Sequence, residues 1–325
     1  MTVSMSLVDW DDPDAERLRT AQQRELRDRY GDDDIGHNMT GERIVAMLLV
    51  RADGAPVACG ALRDASDELG EGVGELKRMY VVPAQRGRGY SRLVLAELER
   101  LSTERGWRRL VLETGVLQVE ALGMYLSSGY HSIPNFGQYV AETASRCFAK
   151  DLGPVPLRVR VPRAQRALTL RRVAWDHPDA VALRYAMWQD IEVRYPEIIA
   201  ITPGGFAVDD PQQGIGTLST VIADLDGVPV GCASLRAARA GYPAGSGELK
   251  KVWVNDDARG AGAARALLKA IEDDARAAGL TSVVLQTGIR QPEAVTLYLS
   301  AGYRPIVPFG PYTDDLLSLL FGKDV

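Results

Sequence analysis

The chain has 325 residues, of which 46% are hydrophobic and 25% charged, with a formal net charge of −5. That length suggests two domains, each large enough to bury its own core, and the composition excludes disordered and collagen-like chains. No run approaches the ~18 apolar residues of a membrane span. The opening MTVSMSLVDWDD lacks a basic stretch followed by an apolar one, so no secretory signal is expected. Three cysteines cannot build a disulfide framework, and a cytoplasmic location is the simple expectation. The acidic balance argues against nucleic acid as a partner.

In chain order, Ser6 to Val8 reads as a short strand and Asp14 to Tyr30 as a helix with Pro13 near its first turn. Ile44 to Arg51 and Val57 to Arg63 read as strands around the turn signal ADGAP. Glu75 to Val82 is a further strand, followed by a glycine-rich turn and a helix with Val94, Leu98 and Leu101 on one face, stopped at Gly106. A buried strand starts at Leu110, a helix ends at Gly129, and two final strands close the unit.

The same order then recurs. Val57 to Asp151 aligns with Val230 to Asp324 without a gap, at an offset of 173 residues. About 38 of about 95 pairs are identical, far beyond chance. WDDPDA at Trp10 returns as WDHPDA at Trp175, so the second copy carries about eight extra residues around Ile201 to Gly216. A period this long means two fused domains rather than a solenoid. Residues 1–153 form the first domain and residues 168–325 the second. Residues 154–167 are a connection rich in proline and arginine, extended by its prolines, with arginines read as solvated charge. Each domain is α/β, a mixed central sheet flanked by helices.

The sharpest motif is a strand, then RGRGYS (Arg86 to Ser91) or RGAGAA (Arg259 to Ala264), then a helix. Glycines let backbone approach a ligand, and the first amides of a helix have no intrahelical acceptor and carry the positive end of its dipole. Such a turn cradles a pyrophosphate; the alternative is a plain strand-to-helix turn with solvated arginines. Neither copy has the Lys-Ser/Thr of a P-loop, and Arg92 and Arg265 stand where a dinucleotide fingerprint needs a third small residue.

Arg86-x-x-Gly89-x-Ser91 and Arg259-x-x-Gly262-x-Ala264 resemble the Gln/Arg-x-x-Gly-x-Gly/Ala signature of the GNAT N-acetyltransferase superfamily, with Ser91 the one departure. The element order resembles that family across both halves. The resemblance implies two tandem GNAT-like domains that use acetyl-CoA as co-substrate. It places the pyrophosphate on Arg86, Gly87, Arg88, Gly89, Tyr90 and Ser91, and on Arg259, Gly260, Ala261, Gly262, Ala263 and Ala264. It lays the pantetheine arm along the backbone of Met79, Tyr80 and Val81, and of Val252, Trp253 and Val254. Gln118 and Gln291 stand where many members have an asparagine that touches coenzyme A.

Acetyl transfer to an amine requires the ammonium to lose a proton and the thiolate to gain one. By the same resemblance Glu75 and Glu248, each eleven residues before the signature arginine, are expected as general bases. Tyr125 and Tyr298, in EALGMYLSSGY and EAVTLYLSAGY, are expected as general acids. The alternatives are a surface carboxylate at a strand end, paired with Lys77 or Lys250 on the same face, and a tyrosine packed in the core. Cys59 and Cys232 read as core thiols. His37, His131 and His177 show no ligand-like spacing, so no metal is expected. Asp32 to Asp34 reads as a solvated loop or a lure for cations, and Asn38-Met39-Thr40 matches a glycosylation sequon that a cytoplasmic chain would not use.

The leading expectation is an N-acetyltransferase acting on a primary amine of a small molecule, without nucleic acid or membrane as partner. A protein- or peptide-directed acetyltransferase, and an acyl-CoA-binding module with one silent half, remain open. The two halves could pair as a pseudo-dimer within one chain. Both copies keep the glutamate and the tyrosine, so neither shows degeneration.

Overall fold

The computed structural model describes residues 2–31, 39–153 and 167–325. The Asp32–Asp34 run, His37, the sequon's Asn38 and nearly all of the connection at 154–167 lie outside the described residues. The chain divides into two units, Met1–Leu157 and Arg158–Val325.

The first unit runs β1 (Val3–Val8), α1 (Pro13–Tyr30), β2 (Ile44–Ala52), β3 (Ala55–Asp64), α2 (Ser66–Leu69), β4 (Val73–Val81), α3 (Tyr90–Glu104), β5 (Arg109–Gly115), α4 (Val119–Ser127), β6 (His131–Ile133) and β7 (Ser145–Asp151). Its strands form a seven-stranded sheet ordered β1-β2-β3-β4-β5-β7-β6. Every neighbouring pair is antiparallel except β4 and β5. Helix α1 starts where the sequence signals a cap. Asp12 accepts from the amides of Asp14 and Ala15, and Pro13 takes the first helical position, where no amide is needed. The β2–β3 turn puts Asp53 and Gly54 at positive φ, as a tight hairpin requires. Ala15 and Leu18 of α1 pack on Met47, Leu49, Cys59 and Ala61 of the sheet, while Gly60, on the other face, lies against Val94 and Leu98 of α3.

The second unit repeats the plan as β8 (Leu168–Val173), α5 (Pro178–Arg194), α6 (Ile198–Ile201), α7 (Gly205–Gln213), β9 (Thr217–Leu225), β10 (Val228–Ala237), β11 (Ser246–Val254), α8 (Ala263–Ala277), β12 (Ser282–Gly288), α9 (Pro292–Ser300), β13 (Arg304–Pro305) and β14 (Ser318–Asp324). Its sheet order is β8-β9-β10-β11-β12-β14-β13, again with one parallel pair, β11 with β12. The extra residues of this copy fold as α6 and α7 rather than as loop. A buried ion pair holds α7 in place: Arg184 of α5, 1% exposed, donates to both oxygens of Asp210 at 2.6 and 2.8 Å. Cys59 and Cys232 are core thiols whose burial pushes their pKa up to about 12. Among the described residues no helix is long and apolar enough to cross a membrane, and no group of three or more His, Cys, Asp or Glu is placed to hold a metal ion.

Candidate functional site

In each unit the parallel pair opens into a fork. β4 and β5 are paired only from Val73↔Arg109 to Leu76↔Leu112, yet β4 continues to Val81 and β5 to Gly115. In the second unit the pairing of β11 with β12 stops at Leu249↔Leu285. A β-bulge marks the same place. Between Tyr80 and Lys77 β4 spends one more residue than its partner β3 does between Cys59 and Ala61, and Arg78 takes up φ 55°. Lys251 does the same at φ 54° in β11. A bulge sharpens twist and re-aims the strand, and here it leaves the end of β4 with backbone groups that β5 does not use. The residues expected to hold a pantetheine arm lie on this stretch. Two of their carbonyls already accept from side chains: Met79 from Gln22 Nε2 at 2.9 Å, and Val81 from Arg86 Nε at 3.1 Å.

Beyond the fork, the chain turns directly into a helix. Gly87 and Gly89 have φ of 77° and 85°, and Gly260 and Gly262 have 82° and 89°. A Cβ at Gly89 or Gly262 would meet nothing within 4 Å, so glycine is required there by backbone conformation and not by crowding. No side chain caps α3 or α8. The first amides of both helices therefore face outward over an open turn, a geometry that suits an anion. Arg86 folds back over the Tyr80 ring and binds Glu25 at 2.5 Å, while Arg259 lies over Trp253 and binds Asp256 at 2.7 Å. These arginines brace the turn. Arg88 is exposed on it, and Ala261 is its counterpart.

The alternative that Glu75 and Glu248 are surface carboxylates at strand ends is excluded by the structure, since both are 0% exposed and lie inside their strands. The cause is a cross-strand arginine. Arg63 stands opposite Glu75 and reaches it at 2.7 Å, and Arg236 stands opposite Glu248 and binds it. Lys77 meets Glu75 at 2.7 Å and Lys250 meets Glu248 at 3.5 Å. Each lysine also donates to a tyrosine on the loop before the last strand, Lys77 to Tyr139 at 2.8 Å and Lys250 to Tyr312 at 3.0 Å. Glu248 further accepts from Tyr312 at 2.8 Å and from Tyr242 at 3.0 Å. Burial alone would raise the Glu248 pKa, but Lys250, Arg236 and the Tyr312 hydroxyl outweigh it and hold the group below its ordinary value. The two lysines part company. Burial brings Lys250 down to about 8, whereas at Lys77 the same penalty is outweighed by Glu75 and Tyr139 and the pKa is raised.

Tyr125 and Tyr298 are buried and stack edge-on with Tyr130 and Tyr303 at 5.7 and 5.9 Å. Burial pushes both phenols well above their usual range, so each stays protonated at any physiological pH. Gln118 and Gln291 sit at the starts of α4 and α9. The Gln291 side-chain oxygen accepts from the Gly288 amide at 3.1 Å, which leaves its nitrogen as the atom able to donate to a ligand. Tyr30 and Tyr195 lock the same turn, accepting from the Leu117 amide at 2.9 Å and the Arg290 amide at 2.6 Å.

Sequence reasoning missed Arg63, Arg236, Tyr139, Tyr312 and Tyr242. The arginines reach the site only through strand pairing and the tyrosines only through loop placement, so no local spacing announces them. One signal was there: Arg63 and Arg236, like Tyr139 and Tyr312, are identical at the repeat offset.

A family model described as "Acetyltransferase (GNAT) family" matches residues 5–130 and again 184–303. An IAA acetyltransferase of Azospirillum brasilense is 42% identical over 103 residues, which cover 32% of this chain and 65% of that protein, just under two thirds of its length. Among solved structures, a putative acyl-CoA N-acyltransferase from Klebsiella pneumoniae is 26% identical at a TM-score of 0.40, covering 47% of this chain and 99% of that one. The PaiA N-acetyltransferase of Thermoplasma acidophilum, solved with coenzyme A, is 14% identical at a TM-score of 0.36, covering 46% and 99%.

Proposed function

The chain belongs to the acetyltransferase (GNAT) family, and from that premise we propose that each half transfers an acetyl group from acetyl-CoA to a primary amine of a small molecule. The observation that carries the proposal is the same in both halves. A strand that has left its parallel neighbour runs into a glycine turn and an uncapped helix start, one step past a buried Glu–Lys–Tyr cluster. The residues fit the co-substrate. The turn amides and Arg88 suit its pyrophosphate, and the β4 and β11 ends offer backbone to an extended arm.

Acetyl-CoA supplies the activated acyl group, and the chain supplies position and proton handling. As the amine nitrogen bonds to the acyl carbon, the C–S bond breaks and the thiolate takes up a proton. Tyr125 and Tyr298 hold that proton, being kept neutral by burial. Glu75 and Glu248 do not meet an incoming amine directly, since solvent cannot reach them. Their part in removing its proton runs through the lysine and the tyrosine hydroxyl that each cluster holds at the fork.

A screen of primary amines with a free-thiol readout, followed by mass measurement of the product, tests this. Acetylated amine and coenzyme A in equal amounts are expected. Thiol release without an acetylated product for every amine tried would reject the proposal, and acetylation confined to peptides would move the acceptor class.

A further inference from the structure

The two halves share the glycine cradle, but the first long helix of each unit meets it differently. In the first unit α1 reaches across to β4 and to the turn. Gln22 donates through Nε2 to the Met79 carbonyl at 2.9 Å. One turn on, Glu25 binds Arg86 at 2.5 Å, and Arg86 Nε donates to the Val81 carbonyl at 3.1 Å. In the second unit the matching residues of α5, at the offset of 165 residues, are Met187 and Asp190. The helix register is the same, since Tyr30 and Tyr195, also at that offset, accept from the equivalent amides of Leu117 and Arg290. Met187 has no N–H to donate. Asp190 pairs within its own helix with Arg194 at 2.8 Å, and Arg259 turns to Asp256 at 2.7 Å.

Gln22 carries a second, independent observation. Its side-chain oxygen is buried and has no hydrogen-bond partner. The amide cannot be turned round to relieve this, because its oxygen would then face the Met79 carbonyl, another acceptor. A buried acceptor left without a donor is costly, and such an atom calls for a partner that arrives from elsewhere. It sits on the amide that touches Met79, in the stretch of β4 beyond its last pair with β5.

We propose that Gln22 is a binding residue for the acyl-CoA arm in the first half, its Oε1 accepting an amide N–H of the arm, and that the second half, with Met187, holds the arm without a side chain from its helix. The inference rests on the acetyl-transfer reading of the fork. An extended arm laid along β4 brings its amide N–H groups beside the strand carbonyls. The Met79 carbonyl has a second lone pair for such a donor, and Gln22 Oε1 is a further acceptor next to it. The Glu25–Arg86–Val81 chain of contacts fixes α1 against the strand, so Gln22 is in place before the arm arrives and little side-chain freedom is lost on binding. The first half thus reads the arm with α1 as well as β4, whereas the second reads it with β11 alone.

Calorimetry on the full chain tests this. Gly262→Val puts a β-branched residue at φ 89° and removes the second cradle; Gly89→Val, at φ 85°, removes the first. With only the first site present, Gln22→Met should weaken acetyl-CoA about 3–10-fold, the worth of one neutral hydrogen bond. Adenosine 3′,5′-bisphosphate, which carries phosphates but no arm, should bind Gln22→Met as it binds the parent when measured by displacement. With only the second site present, Met187→Gln should tighten acetyl-CoA by a similar factor. A first site that is unchanged or tighter, an equal loss for both ligands, or a second site that does not tighten would overturn the proposal. In the wild-type chain, saturating acetyl-CoA should shift the side-chain carbonyl carbon resonance of Gln22, identified by its loss in Gln22→Met; an unmoved resonance would equally overturn it. Absence of any acetyl-CoA site in the wild-type chain would refute the acetyl-transfer reading itself, and the proposal with it.

Discussion

Replacing Glu248 by glutamine tests how the buried clusters are held together. The side chain keeps its shape but loses its charge. Arg236, 2% exposed, and Lys250 would then lie buried without their counter-ion, and one of the two tyrosine hydroxyls would face an amide NH2. Removing one partner of a buried ion pair typically costs about 3–5 kcal/mol. Glu75→Gln in the first unit should cost less. Arg63 keeps a bidentate bond to Glu68 at 2.7 and 2.8 Å, and Lys77 keeps the Tyr139 hydroxyl, so the loss is nearer that of a charged hydrogen bond, about 1.5–3 kcal/mol. Urea unfolding followed by hydrogen exchange in β10–β11 and β3–β4 peptides would separate the units. The pH dependence has a definite sign. The folded pKa of Glu248 is lowered, so its stabilisation is complete above the unfolded value of about 4.3 and is lost as pH falls through the folded value. The gap between wild type and Glu248→Gln should therefore close in acid. A Glu248→Gln protein within about 1 kcal/mol of wild type at neutral pH would refute the reasoning.

Three further outcomes follow from the geometry. Tyr125→Phe with Tyr298→Phe should slow transfer about 10²–10⁴-fold while acetyl-CoA affinity, measured by calorimetry, stays nearly constant. Gly89→Ala or Gly262→Ala should cost about 1–2 kcal/mol in thermal or chemical unfolding, from the left-handed backbone alone, because the added methyl meets nothing. Gly115→Ala and Gly288→Ala should destabilise more in the same assay, since the new carbon would lie 1.9 and 2.0 Å from the hydroxyls of Tyr30 and Tyr195; Tyr30→Phe and Tyr195→Phe should relieve part of the loss.

The architecture was legible because its signals are local and appear twice. Helix starts at Pro13 and Pro178, hairpins at Asp53-Gly54 and Asp226-Gly227, and strand–glycine–helix turns at Gly89 and Gly262 all lie where residue chemistry puts them. What depended on distant pairing was not legible. The bulges fall on Arg78 and Lys251, residues with no preference for positive φ, where the strand has already left its parallel neighbour. The burial of Glu75 and Glu248 was not legible because the arginines that make it tolerable stand on the neighbouring strand. The insertion expected around Ile201 to Gly216 is present, but its folding into α6 and α7 was not legible, since it is held by Arg184 and Asp210, residues 26 apart in sequence.

Calorimetric titration of the full-length protein with acetyl-CoA, paired with hydrogen exchange, tests whether one chain holds two working sites. About two sites per chain are expected, with protection appearing at both residues 86–91 and residues 259–264. One site, with protection confined to a single turn, would contradict it.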